Sequence, residues 1–101
     1  MKRYRVTPQA RSDLRDIYQY VAERNPTAAG TLRRLFYEKF RTIAAIRYMG
    51  DARDDLAPGV RVSAAGSYVI VFRPIDDRVD IIQVVHGARD LETVFCDVPP
   101  E

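Results

Sequence analysis

The hydrophobic period of the chain changes from helical to alternating at Pro58-Gly59, and this switch limits the folds open to it more than any other feature. Upstream, apolar residues recur at helical spacing. Leu14, Ile17, Tyr18 and Val21 follow i, i+3, i+4, i+7, and Ala28, Leu32, Phe36, Ile43 and Ile46 form a second stripe. Downstream, "VRVSA" alternates, "SYVIVF" is apolar at nearly every position and "VDIIQVV" closes the series. A strand that is apolar throughout is covered on both faces, which marks "SYVIVF" as the central strand.

Both helical stretches open with the same device. Thr7-Pro8 and Asn25-Pro26 each pair a side-chain acceptor at the N-cap with a proline in the first turn, where its missing N–H costs nothing. Before them, Tyr4 and Val6 alternate with Arg3 and Arg5, which predicts a short strand with one buried face. The second helix is expected to end near Met49-Gly50, followed by a charged loop, "DARDDLAPG". "AG" and "RPIDDR" supply the later turns, with Asp54-Asp55 and Asp76-Asp77 as turn residues. In the last strand, strict alternation puts Val79, Ile81, Gln83 and Val85 on one face and Asp80, Ile82 and Val84 on the other. The order is β-α-α-β-β-β, an α+β fold. With 101 residues and 47% apolar content, residues 1–101 are expected to form one domain with a core that needs no disulfide, and 97–101, "DVPPE", to be a flexible tail.

Composition removes several chemistries. One histidine, His86, and one cysteine, Cys96, do not suffice for a four-ligand zinc site, so no metal is expected. The five glycines are scattered and form no phosphate loop, so no nucleotide cofactor is expected either. A Cys96/His86 dyad rests on proximity in sequence alone. "MKRYRV" lacks the apolar run of a signal peptide, and the longest apolar run, Tyr68 to Phe72, is too short to span a bilayer. A cytoplasmic protein with no membrane partner is expected. Charge is polarised along the chain. The first fifty residues carry eleven Lys/Arg against four Asp/Glu, a net of +7, and the rest carry five against ten, a net of −5. A basic half suits nucleic acid or an acidic protein partner, but solvated helix faces are the more ordinary source of such a balance.

Three segments together carry a family likeness. They are "TPQARSDLRDIYQYVAERNPTAA" with its Asp13-Leu14 and Ile17-Tyr18 spacing, Pro58-Gly59-Val60-Arg61 entering the sheet, and His86-Gly87-Ala88-Arg89-Asp90 leaving it. In these the chain closely resembles the ParE branch of the ParE/RelE toxin superfamily, over nearly its whole length. The resemblance implies a helical hairpin packed on a twisted antiparallel sheet. It also implies the toxin of a type II toxin–antitoxin module, inhibiting DNA gyrase by protein binding rather than by catalysis. Its partner would be a ParD-like antitoxin that itself carries the DNA-binding domain, so no sequence-specific DNA binding is expected of this chain.

The RelE branch shares the fold but cuts messenger RNA on the ribosome, and that is the alternative reading. The chain departs from it. Phe95 falls where RelE-type toxins keep a tyrosine, and a phenyl ring neither donates nor accepts a proton. Lys2 and Lys39 are the only lysines, and neither lies in the sheet or its preceding loop. No catalytic residue is therefore assigned. Target binding is expected from Arg61, His86, Arg89, Asp90, Leu91, Val94 and Phe95. His86 is read as a packing residue, Gly87 as a point of close approach, and Leu91, Val94 and Phe95 as apolar anchors. Antitoxin binding is expected on the helices, with Arg33, Arg34 and Arg41 from the exposed side of the second helix and Tyr18, Leu32 and Phe36 from its groove.

Overall fold

The computed structural model describes residues 3–87. Its elements are β1 (Arg3–Val6), α1 (Pro8–Arg24), α2 (Pro26–Ala45), β2 (Asp51–Ala52), β3 (Arg61–Ala65), β4 (Tyr68–Ile75) and β5 (Arg78–His86). Both expected caps form. Thr7 Oγ1 accepts from the Ala10 N–H at 3.3 Å, and Asn25 Oδ1 accepts from the Ala28 N–H at 3.1 Å.

The strands make one five-stranded sheet in the order β1-β5-β4-β3-β2. It is mixed rather than wholly antiparallel, because β1 runs parallel to β5 with Val6 opposite Ile81. The other pairings are antiparallel. β2 lies in the segment expected to be loop, where Asp51 and Ala52 pair with Val62 and Arg61. The β4–β5 hairpin turns on Asp76-Asp77, and Asp76 takes the left-handed φ of 52° that such tight turns require.

The helices cover one sheet face. Phe36, Phe40 and Ile43 of α2 and Ala10 and Leu14 of α1 close over Ile70, Phe72, Val79, Ile81 and Val84. Phe36 and Phe40 have no exposure, and truncating a buried phenylalanine of this kind costs about 3–5 kcal/mol. α2 stops at Ala45 instead of Met49-Gly50, and Ile46 caps it with φ −121° and ψ 77°. Ile46 leaves the helical path there and is exposed, so it does not extend the stripe.

A bulge separates the two halves of β5. Phe72 pairs with Ile81 and Val71 with Gln83, which leaves Ile82 as an extra residue. Strict alternation therefore fails: Val84 joins Val79 and Ile81 against the helices, while Ile82 turns to the opposite face. One inserted residue flips the parity of everything after it.

Candidate functional site

Three surfaces hold the polar chemistry of the described residues. The first is the end of the sheet from which residues 88 onward leave. His86 pairs with Tyr68 across β4 and β5, and the two rings meet edge to face with centroids 5.5 Å apart. The Gly87 N–H donates to the Ser67 carbonyl at 2.8 Å, and a Cβ on Gly87 would sit 3.1 Å from that same oxygen. The close approach expected of Gly87 is thus present. At the opposite end of β3, where Arg61 stands across from Phe72, Arg61 serves as a clasp. Its Nε donates to the Met49 carbonyl at 3.0 Å, and its Nη2 to the carbonyls of Tyr48 at 2.6 Å and Gly50 at 3.0 Å. A planar fork with several donors is the group that can tie three successive carbonyls after a helix.

The second surface is the sheet face away from the helices. The segment after β2 lies over part of it, with Leu56 and Ala57 packed on Val60, Val71 and Ile82. Arg53 and Asp55 pair through two hydrogen bonds of 2.9 Å, and this pairing lowers the Asp55 carboxyl below its usual range. Asp54 Oδ1 accepts from the Gly59 N–H at 2.9 Å. Beside this cover, arginines gather around one buried carboxylate. Asp80, 4% exposed, accepts from Arg78 Nε at 2.8 Å and from Arg5 Nη2 at 3.1 Å. Arg73 stands opposite Asp80 in register, and its Nε is buried with no hydrogen-bond partner. Arg3 stands opposite Arg78. The hydrogen bond it donates to Asp80, and secondarily the charge of that carboxylate, raises the Arg78 guanidinium above its ordinary range.

The third surface is a crevice of about 320 Å³ between α1, α2 and the end of β1. Val6 and Leu14 form its apolar part, Tyr18 and Tyr37 contribute rings, and Arg11, Arg15 and Arg33 line it as well. The Arg33 guanidinium lies 4.7 Å from the centre of the Tyr18 ring. The Tyr18 hydroxyl is buried and has no hydrogen-bond partner. Burial pushes its pKa up to about 12, with Tyr37 adding to the rise and Arg33 opposing it. The phenol is therefore a protonated donor throughout the neutral range.

This geometry sits inside a region with known counterparts. The family model described as "ParE toxin of type II toxin-antitoxin system, parDE" matches residues 4–91, which takes in both helices and, apart from Arg3, all five strands. The chain belongs to the ParE toxin family. Toxin ParE1 of Caulobacter vibrioides is 36% identical over 91 residues, covering 89% of this chain and 94% of the relative. Toxin ParE1 of Mycobacterium tuberculosis is 30% identical over 93 residues, with the same coverage. A solved structure described as "Chromosomal ParDE TA system from P. aeruginosa" superposes with a TM-score of 0.72, at 21% identity, over 85% of this chain and 96% of that one. At that identity the likeness concerns the fold. Among the described residues, no helix of this ParE-family toxin is long and apolar enough to cross a membrane.

Several expected site residues of this ParE-family chain are placed by the structure. Tyr18 and Arg33 come together in the crevice, while Arg34 and Arg41 are exposed elsewhere on α2. Leu32 is half-buried against the core. Phe36, expected in the groove, lies beneath it at 0% exposure, because the i+4 stripe that carries it is the core stripe of α2. Arg89, Asp90, Leu91, Val94, Phe95 and the tail 97–101 lie outside the described residues. Sequence reasoning missed Arg11, Arg15 and Tyr37 of the crevice, and Arg3, Arg5, Arg73 and Arg78 around Asp80. The alternation of Arg3 and Arg5 with Tyr4 and Val6 held the signal for part of the second group. Nothing local announced the first, since its members come from two helices.

Proposed function

We propose that this ParE-family chain acts as a gyrase-directed toxin that works by protein binding, and that a ParD-like antitoxin neutralises it by docking on the helical side. The observation that carries the non-enzymatic reading is the state of its arginines and of its one described histidine. Arg61 holds three carbonyls, Arg5 and Arg78 hold Asp80, and His86 packs on Tyr68. These groups brace backbone and sheet, and a proton-transfer pair needs a base within reach of a reacting proton. The cover formed by Leu56 and Ala57 over the outer sheet face supports the same reading. The basic groups that remain exposed suit recognition of an acidic surface.

On this reading the segment 86–95 contributes the target contacts, with Arg89 and Asp90 as polar determinants and Leu91, Val94 and Phe95 as anchors. The test sets purified protein against gyrase in a supercoiling assay and, in parallel, against ribosome-bound messenger RNA. Inhibited supercoiling or trapped cleaved DNA is expected. Cleavage of messenger RNA with gyrase untouched would replace this reading with the ribonuclease one.

A further inference from the structure

We propose that the crevice between α1 and α2 seats one acidic side chain of the antitoxin, a glutamate, whose carboxylate is gripped by Arg11, Arg15 and Arg33 and by the Tyr18 hydroxyl. The inference rests on the antitoxin-docking reading above and adds to it the pocket, the ligand chemistry and the residues Arg11, Arg15 and Tyr37.

Charge is the first argument. Arg11, Arg15 and Arg33 form no ion pair with another described residue, so three cations line one small recess. Asp13 of α1 does not line the recess; its carboxylate accepts from Gln9 Nε2 at 2.8 Å and from the Val84 N–H at 3.0 Å. An incoming carboxylate relieves the mutual repulsion and gains charge-assisted hydrogen bonds. The second argument is the unpartnered donor. A buried hydroxyl without an acceptor forfeits a hydrogen bond, and folded proteins keep few such groups. A carboxylate oxygen entering the crevice supplies the missing acceptor.

Shape selects among anions. Val6 and Leu14 give the recess an apolar part, and the rings of Tyr18 and Tyr37 flank it. Two methylenes of a glutamate stem cover that apolar surface, whereas a bare phosphate leaves it wet and must shed a stronger hydration shell. Arg33, laid on the Tyr18 ring, presents its guanidinium already oriented, which reduces the ordering cost of a planar two-pronged contact.

The experiment uses the full chain and its cognate ParD-like antitoxin, with affinity measured at two salt concentrations and thermal denaturation as the folding control. Arg15→Ala, Arg33→Ala and Tyr18→Phe are each expected to weaken binding about tenfold to a hundredfold, the range for a hydrogen bond to a charged group. Changing one antitoxin glutamate to glutamine should produce the same loss, and combining it with Tyr18→Phe should add little more. Tyr18→Phe is the decisive variant, because it keeps the ring and removes only the unpartnered hydroxyl. Normal affinity in a folded Tyr18→Phe variant and in both arginine variants overturns the pocket while leaving helical docking in place. Failure of the wild-type chain to bind the antitoxin at all overturns both.

Discussion

The carboxylate of Asp13, in α1, accepts a hydrogen bond from the backbone N–H of Val84, in β5, at 3.0 Å across 71 positions of sequence. β1 spans four residues and β5 nine, so the parallel pairing ends at Ile81. From there the start of α1 replaces the missing strand. The Thr7 N–H donates to the Ile81 carbonyl at 3.1 Å, and Thr7 Oγ1 donates to the Ile82 carbonyl at 3.0 Å. Asp13 then takes the Val84 N–H. A helix start that supplies partners to a sheet edge blunts that edge as a template for another chain.

Asp13→Ala is therefore expected to destabilise the fold by about 1–3 kcal/mol, the cost of a buried N–H left unpaired. Asp13→Asn should recover part of this, since its amide oxygen still accepts. Urea denaturation measures both, and an alanine variant as stable as the wild type refutes the edge role.

Arg61→Lys should behave nearly like Arg61→Ala. A single ammonium cannot reproduce a fork that reaches the carbonyls of Tyr48, Met49 and Gly50 together. A loss of about 1–3 kcal/mol is expected, with faster amide exchange in the segment between α2 and β2. Full rescue by lysine would show that charge alone matters there.

Gly50 has φ +75°, and a Cβ there would lie 2.2 Å from the Val62 carbonyl oxygen. Gly50→Ala combines left-handed strain of about 1–2 kcal/mol with a clash against backbone that a shift must relieve. The variant should unfold at clearly lower denaturant than the wild type. An unchanged midpoint would mean that the Gly50–Val62 approach is looser than it stands here.

Tyr18 gives a pH test with a defined sign. Its phenol is raised from 10.0 to about 12 in the folded chain, so the folded state favours the protonated form. The associated stability is fully present below pH 10 and is lost as pH rises toward 12. Spectroscopic titration of the wild type minus Tyr18→Phe should isolate one late-titrating tyrosine. A difference curve centred on the ordinary value would contradict the burial of that hydroxyl.

His86→Gln should retain most of the toxicity. His86 is exposed and meets Tyr68 edge to face, and an amide of similar reach can fill a packing and hydrogen-bonding position. Truncation after Asp90 should reduce toxicity sharply while antitoxin binding persists, because the loss falls on Leu91, Val94 and Phe95. Growth inhibition on induction, with circular dichroism and antitoxin capture as controls, reads both variants. A folded His86→Gln variant without toxicity, beside a truncation that still kills, would reverse the assignment.

What the sequence determined by itself was local. The two Pro-opened caps, the helical stripes and the Asp76-Asp77 turn were legible because each depends on neighbours within a few residues. Pairing was not. Nothing in "RYRV" states that it runs parallel to β5, because alternation reports which face is buried and not which direction a partner runs. The bulge at Ile82 was equally hidden, since a strand with apolar residues on both faces reads the same in either parity. The two arginine groups follow from these choices. Arg5 meets Asp80 across 75 positions only through the β1–β5 register, and Arg11, Arg15 and Arg33 meet only where α1 packs beside α2. Periodicity is a property of one segment, whereas a site belongs to several, and tertiary packing alone decides which of them meet.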